Sequence, residues 1–152
     1  MTCLLRSIIV ALSLANTVGL SFGAEATSEE VRSNLARRFE AINADWRTGE
    51  TKKFESPTEE VLAEQRSALG PDDTDTLNTE TLLAQIKRDL GQLNAALVLA
   101  DHALVGLRSV NGETHDKTGL ARMVRATVLY ELARWREAAA EFRRHRAEGA
   151  DR

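Results

Sequence analysis

The sequence predicts an all-α chain of antiparallel helix hairpins, repeating every 42 residues and stacked as a solenoid. Three observations predict it. The turn Leu69-Gly70-Pro71-Asp72-Asp73-Thr74-Asp75-Thr76 returns from Val110 to Thr118, with Gly70 matching Gly112 and Thr76 matching Thr118 at an offset of 42. A fixed period of that size marks a stacked array of supersecondary units. Small residues recur in the same register, Ala84 with Ala126 and Ala96 with Ala138, as closely approaching helices require. Aromatics are only 5% of the chain, and its two prolines, Pro57 and Pro71, fall at turns or helix starts, which suits packed helices rather than sheets.

Taken in order, residues 1–26 read as a secretory signal peptide rather than fold. Arg6 gives a positive start, Ser7 to Phe22 is an apolar run, and small residues place cleavage after Gly23 or after Ala26. The run is short for a membrane span and is interrupted by Asn16 and Gly19, so membrane contact is expected only in transit. Cys3 is the single cysteine and leaves with this segment, which removes disulfides and thiolate chemistry from the mature chain. The expected destination is the periplasm or the exterior.

Residues 27–68 read as a degenerate first hairpin. Val31, Leu35, Phe39, Ile42 and Trp46 recur on one helical face, opened by a Thr27–Glu30 capping box and ending at Gly49. A polar link, Glu50 to Glu55, leads to Ser56 as the expected N-cap of a second helix, with Pro57 in its first turn, that carries Val61, Leu62, Gln65, Ala68 and Leu69. Residues 69–110 form the next unit, with a helix from Thr76 to Leu90 closed by Gly91 and another from Leu93 to Leu107. Residues 111–152 form the last, with a helix from Thr118 to Leu132 and another carrying Trp135, Ala138 and Phe142 into a polar end, Arg143-Arg144-His145-Arg146. Ala133 stands where Gly91 stands one repeat earlier.

The run LGPDDTDTLNTETLLAQIKRDLGQLNAALVLADHAL resembles a tetratricopeptide repeat of the long, kinesin-light-chain type. Leu69, Gly70, Asp75, Thr76, Leu77, Leu83, Ala84, Gly91, Ala96, Ala103 and Leu104 carry the resemblance in one copy, and Gly112, His115, Thr118, Ala126 and Ala138 in the next. Thr74 and Asp116 replace the family's turn proline. Arg125 replaces the apolar residue that Leu83 represents, and Thr81-Leu82 and Met123-Val124 replace its paired asparagines. The resemblance implies a right-handed superhelix that acts as a protein-interaction module, its first helices lining a concave face. Applied to this chain, the groove positions are Asn78, Thr81, Gln85 and Arg88 in one unit and Arg122, Met123, Thr127 and Tyr130 in the next. The implied ligand is an extended peptide or protein segment, held by side-chain hydrogen bonds and arginine–carboxylate contacts.

Other function classes find little support. The net charge is −3 and no aromatics interleave the basic residues, which argues against nucleic acid. Neither a nucleophile elbow nor a glycine-rich phosphate loop is present, and His102 and His145 have no partner ligand at i+4, so neither an enzyme nor a metal or other cofactor site is expected. His115 and the Asp72-Asp73 pair read as turn and helix-cap residues. Acids crowd Glu55 to Glu80 and bases crowd Lys117 to Arg152, an asymmetry suited to end-to-end alignment. The alternative is therefore a structural subunit that self-associates through the Trp135–Arg146 helix, or a short piece of a longer array.

Overall fold

The computed structural model describes residues 27–150, with side chains to residue 147; the expected signal peptide lies outside the described residues. Six α-helices follow one another: α1 (Ser28–Asp45), α2 (Glu55–Ala68), α3 (Thr74–Asp89), α4 (Leu93–Asn111), α5 (Asp116–Glu131) and α6 (Trp135–Ala150). Among the described residues there is no strand. Each helix packs on the next, and α3 also packs against both α1 and α5.

α1 starts as its sequence requires. The Thr27 hydroxyl accepts from the Glu30 amide at 3.2 Å and the Glu30 carboxylate accepts from the Thr27 amide at 2.8 Å, a closed capping box. Leu35, Phe39 and Trp46 are buried on one face with Val61, Leu82 and Ile86, while Val31 and Ile42 pack at the edge.

The connection between α1 and α2 differs from expectation. The α-helix stops at Asp45, and a 3-10 turn, Trp46–Thr48, continues the chain to Gly49. The segment expected as a polar link winds into a second 3-10 turn, Thr51–Phe54, because Phe54 packs against the aromatic cluster. That turn runs straight into α2, so Ser56 lies inside the first helical turn and is not the N-cap. On α2, Val61, Leu62 and Gln65 are buried and Ala68 is exposed.

The two later hairpins are built on alanine. Ala84, Ala96, Ala100, Ala103, Ala121 and Ala126 are fully buried, and Ala138 nearly so. Small side chains let α3, α4 and α5 approach closely, and Leu77, Leu104 and Leu107 fill the space beside them.

The ends of α3 and α5 close in the same way. Gly91 has φ +75°, with its amide donating to the Arg88 carbonyl and that of Gln92 to the Lys87 carbonyl, both at 2.8 Å. At the matching position Ala133 has φ +60°, with its amide donating to Tyr130 and that of Arg134 to Leu129. This paired closure needs a left-handed residue, a conformation that strains any side chain bearing a Cβ. Ala133→Gly is therefore expected to stabilise the fold by about 0.5 kcal/mol or more after the added flexibility of the unfolded chain is subtracted. Thermal denaturation should show a rise of about 2–4 °C, and Gly91→Ala should move the melting point the other way.

Candidate functional site

A cavity of about 110 Å³ opens between the first helices of the three hairpins. Ala36, Phe39 and Glu40 of α1, Asp75 and Asn78 of α3, and Lys117 of α5 line it, with Gln65 of α2 also at its wall. The repeat register explains the convergence: Asn78 stands 42 residues after Ala36, and Lys117 stands 42 after Asp75.

The polar groups around this cavity have defined states. Arg32 of α1 reaches the turn before α3, donating to Asp73 at 2.9 Å and to Asp75 at 2.6 Å. Lys117 lies 3.8 Å from the other Asp75 oxygen. The two cations and two aspartates thus offset one another. Glu40 has no ion pair among the described residues, and Gln65, 1% exposed, has a side-chain carbonyl oxygen without a hydrogen-bond partner.

Asp73 also caps α3, accepting from the Asp75 amide at 2.9 Å. His115 repeats the role one unit later, its Nδ1 accepting from the Lys117 amide at 3.1 Å. Both fulfil the capping role that the sequence assigns to them.

The groove positions taken from the repeat resemblance divide. Asn78 lines the cavity. Thr81 is 1% exposed and donates to the Leu77 carbonyl at 3.0 Å, so it faces the helical interior instead of a partner. Gln85 is 8% exposed, just inside the surface. Arg88 is half-buried, bonded to Asp89 and 3.7 Å from Glu131 of α5. Met123 and Thr127 are half-buried, the Thr127 hydroxyl donating to the Met123 carbonyl at 2.9 Å, and Tyr130 is exposed.

Arg122 is the main correction. It is 1% exposed, turned inward between the helices with a guanidinium nitrogen 3.0 Å from Glu113 and another 3.6 Å from Glu141. Its repeat equivalent is Glu80, 42 residues earlier, which is fully buried between Arg66 at 2.7 Å and His102 at 2.6 Å. A charged side chain thus occupies the same interior position in both units, with opposite sign. Arg125, in place of the apolar Leu83, bonds Asp101 of α4 and Glu141 of α6, and Arg144 also bonds Glu141. Arg125 thus ties α5 both to α4, through Asp101, and to α6, through Glu141.

A second groove, about 480 Å³, is lined by α2, α3 and α4. Leu62, Leu83, Val98 and Leu99 give it an apolar floor, with Glu59, Arg66 and Lys87 at its edges. Lys87 bonds Glu59 at 2.7 Å and Glu55 at 2.9 Å, which ties α3 to α2. Of the first cavity's lining, sequence reasoning named only Asn78 as a groove residue, and it named none of the second groove's; the 42-residue offset was the signal available for the rest of the first.

Two of these ion pairs lead to an expected acid sensitivity of the fold. The Lys87 ammonium, with help from the Gln92 amide, holds the Glu55 carboxyl below its ordinary range. Burial raises the Asp73 carboxyl, but the hydrogen bonds from Arg32 and the Asp75 amide outweigh it and leave it lowered. A depressed folded pKa contributes stability above the unfolded value of about 4, which disappears as pH falls through the folded value. The urea midpoint is therefore expected to hold from pH 7 to 5 and to drop toward pH 3, with a shallower drop in Lys87→Met. An unchanged pH profile in that variant would remove Glu55 from the account.

Compared with models of protein families and with curated proteins, the chain matches none of either.

Proposed function

We propose that the chain is an exported interaction module of the tetratricopeptide type, a short right-handed superhelix that binds an extended peptide or protein segment along its first helices. The observation that carries this reading is the cavity that α1, α3 and α5 build together, polar at Asn78 and Gln65 and apolar at Phe39. Concave sites with apolar walls and a few placed polar groups are the usual form of a ligand pocket. The matching closures at Gly91 and Ala133, together with α3 packed on both α1 and α5, support the superhelix. The protein binds its ligand and performs no chemistry on it.

The test is capture of a partner from envelope and extracellular extracts of the native host, followed by anisotropy with peptides from the captured protein. Asn78→Arg fills the groove and should weaken binding at least about tenfold while leaving the melting curve in place. Unchanged binding in Asn78→Arg would move the site elsewhere. For export, the protein recovered from those fractions should begin at Ala24 or Thr27; an intact Met1 in the cytosol would sink that part.

One observation favours self-association as a second reading: Tyr130 near the end of α5 is 61% exposed and Trp135 at the start of α6 is 64% exposed. Sedimentation at several concentrations decides it, and a concentration-independent monomer removes it.

A further inference from the structure

We propose that the outer face of α5 is a homodimer surface, on which a second copy of this chain seats its own α5 antiparallel to the first. The inference rests on the self-association reading above and gives it a surface and a symmetry. Leu120, Met123, Thr127 and Tyr130 follow one another at steps of 3, 4 and 3 residues, so they share one face of α5. Leu120 is 43% exposed and Tyr130 61%, with Met123 and Thr127 half-buried between them. The Thr127 hydroxyl donates to the Met123 carbonyl at 2.9 Å, so it needs no polar group from a partner. One period earlier, the matching residues of α3 include Thr81 and Gln85, which are 1% and 8% exposed in a helix that packs on both α1 and α5. α5 packs on α3, α4 and α6, with no further first helix beside it among the described residues. The stripe is thus the face that packing closes on α3 and leaves open on α5.

Register and charge decide the occupant. An antiparallel crossing of α5 on itself, centred at the level of Arg125, sets Leu120 against Tyr130 of the second copy and Met123 against its Thr127. Apolar side chains then meet across the contact, and the aromatic ring supplies most of the buried area. The same crossing brings Lys117 beside Glu131 of the second copy at each end of the contact. Both side chains are partly exposed, and their nearest partners in this chain, Asp75 and Arg88, lie 3.8 and 3.7 Å away, at the limit of ion pairing. A parallel crossing would instead set Lys117 near Lys117 and Glu131 near Glu131. An end-to-end stack would place α1 of the next copy on this face. The α1 residues that stand two periods, 84 positions, before the buried Ala121 and Val124 are Arg37 and Glu40, both exposed and charged. Setting those charges against an apolar stripe is costly. The self-complementary contact closes on itself, so assembly stops at two copies.

The test is sedimentation of the protein as recovered from its host, from about 10 µM to about 1 mM. The average mass should rise with concentration and level at twice the monomer. A monomer throughout, or a mass that climbs past the dimer, overturns the proposal. Leu120→Glu and Tyr130→Glu change exposed side chains and should leave the melting curve in place, while each weakens the dimer at least about tenfold. A dimer that survives both substitutions overturns this surface and leaves self-association standing elsewhere on the molecule. Orientation is read by cross-linking. Chains carrying Met123→Cys and chains carrying Thr127→Cys, mixed under mild oxidation, should link to each other faster than to themselves. Opposed positions come within reach of a disulfide, whereas like positions lie four residues, about 6 Å, apart along the axis. Faster self-linking at both positions would mean a parallel contact and overturn the proposal. A monomer whose peptide binding still responds to Asn78→Arg would leave the groove reading standing without the dimer.

Discussion

Arg122→Ala is expected to cost about 3 kcal/mol or more, combining lost side-chain volume with the breaking of a buried ion network. Arg122 is the largest fully buried side chain among the described residues, placed between Glu113 and Glu141. A small domain has about 5–15 kcal/mol in hand, so the variant should unfold at a much lower urea concentration. The two parts of the loss are separable. Glu141 keeps Arg125 and Arg144 after the substitution, and Glu113 is 43% exposed and returns to water. Volume is thus the larger part, and Arg122→Met should recover more than half of the lost stability. An Arg122→Met variant as unstable as Arg122→Ala would show that charge, not packing, makes this position essential. The contrast is Arg88→Ala, at the half-buried end of α3, which should stay within about 0.5 kcal/mol of the parent.

Leu77→Ala is expected to cost about 2–5 kcal/mol, because it empties a fully enclosed site between α3 and α4. The same site contains a second, opposing effect. A Cβ built on Gly106 of α4 would lie 2.7 Å from both terminal carbons of Leu77. Leu77 is fully buried and has little room to move aside. Gly106→Ala alone should therefore be destabilising by about 1 kcal/mol, the gain in helix propensity being outweighed by overpacking. In the Leu77→Ala background the clash is gone, and Gly106→Ala should become stabilising by about 1 kcal/mol from propensity and partial filling of the void. Chemical denaturation of the four proteins in this cycle measures the coupling. Additive effects would mean that α4 shifts to accommodate the methyl group and that the close approach at Gly106 does not govern how the two helices fit.

The groove residues are partly legible because the repeat offset is a property of the chain. Asn78 and its neighbour Ala36 lie one period apart, as do Asp75 and Lys117. Motif position and helix register place Thr81 and Arg122 in the groove, but both are buried. On α5, Arg122 and Met123 are adjacent in sequence, yet a step of one residue rotates a side chain by about 100°. Met123 stands one period after Thr81 and Arg122 one period after Glu80, which is the register in which an arginine points inward. Polarity suggests the surface; a compensating carboxylate from α6 permits the interior.

By itself the sequence determined the helical class, the capping box at Thr27–Glu30, the caps at Asp73 and His115, and the alanine seams of the later hairpins. These are local or periodic features: a cap needs only its own first turn, and a small residue every repeat is visible as spacing. Tertiary structure alone decided the winding of Thr51–Phe54, where packing of the half-buried Phe54 against the α1 cluster overrides a polar stretch, and the ion-paired placement of Arg122 and Arg125. It also decided that Gln65 meets α1, α3 and α5 around one cavity with its oxygen unpaired. Each depends on groups far apart in the chain, whose charge and volume become complementary only when the helices pack.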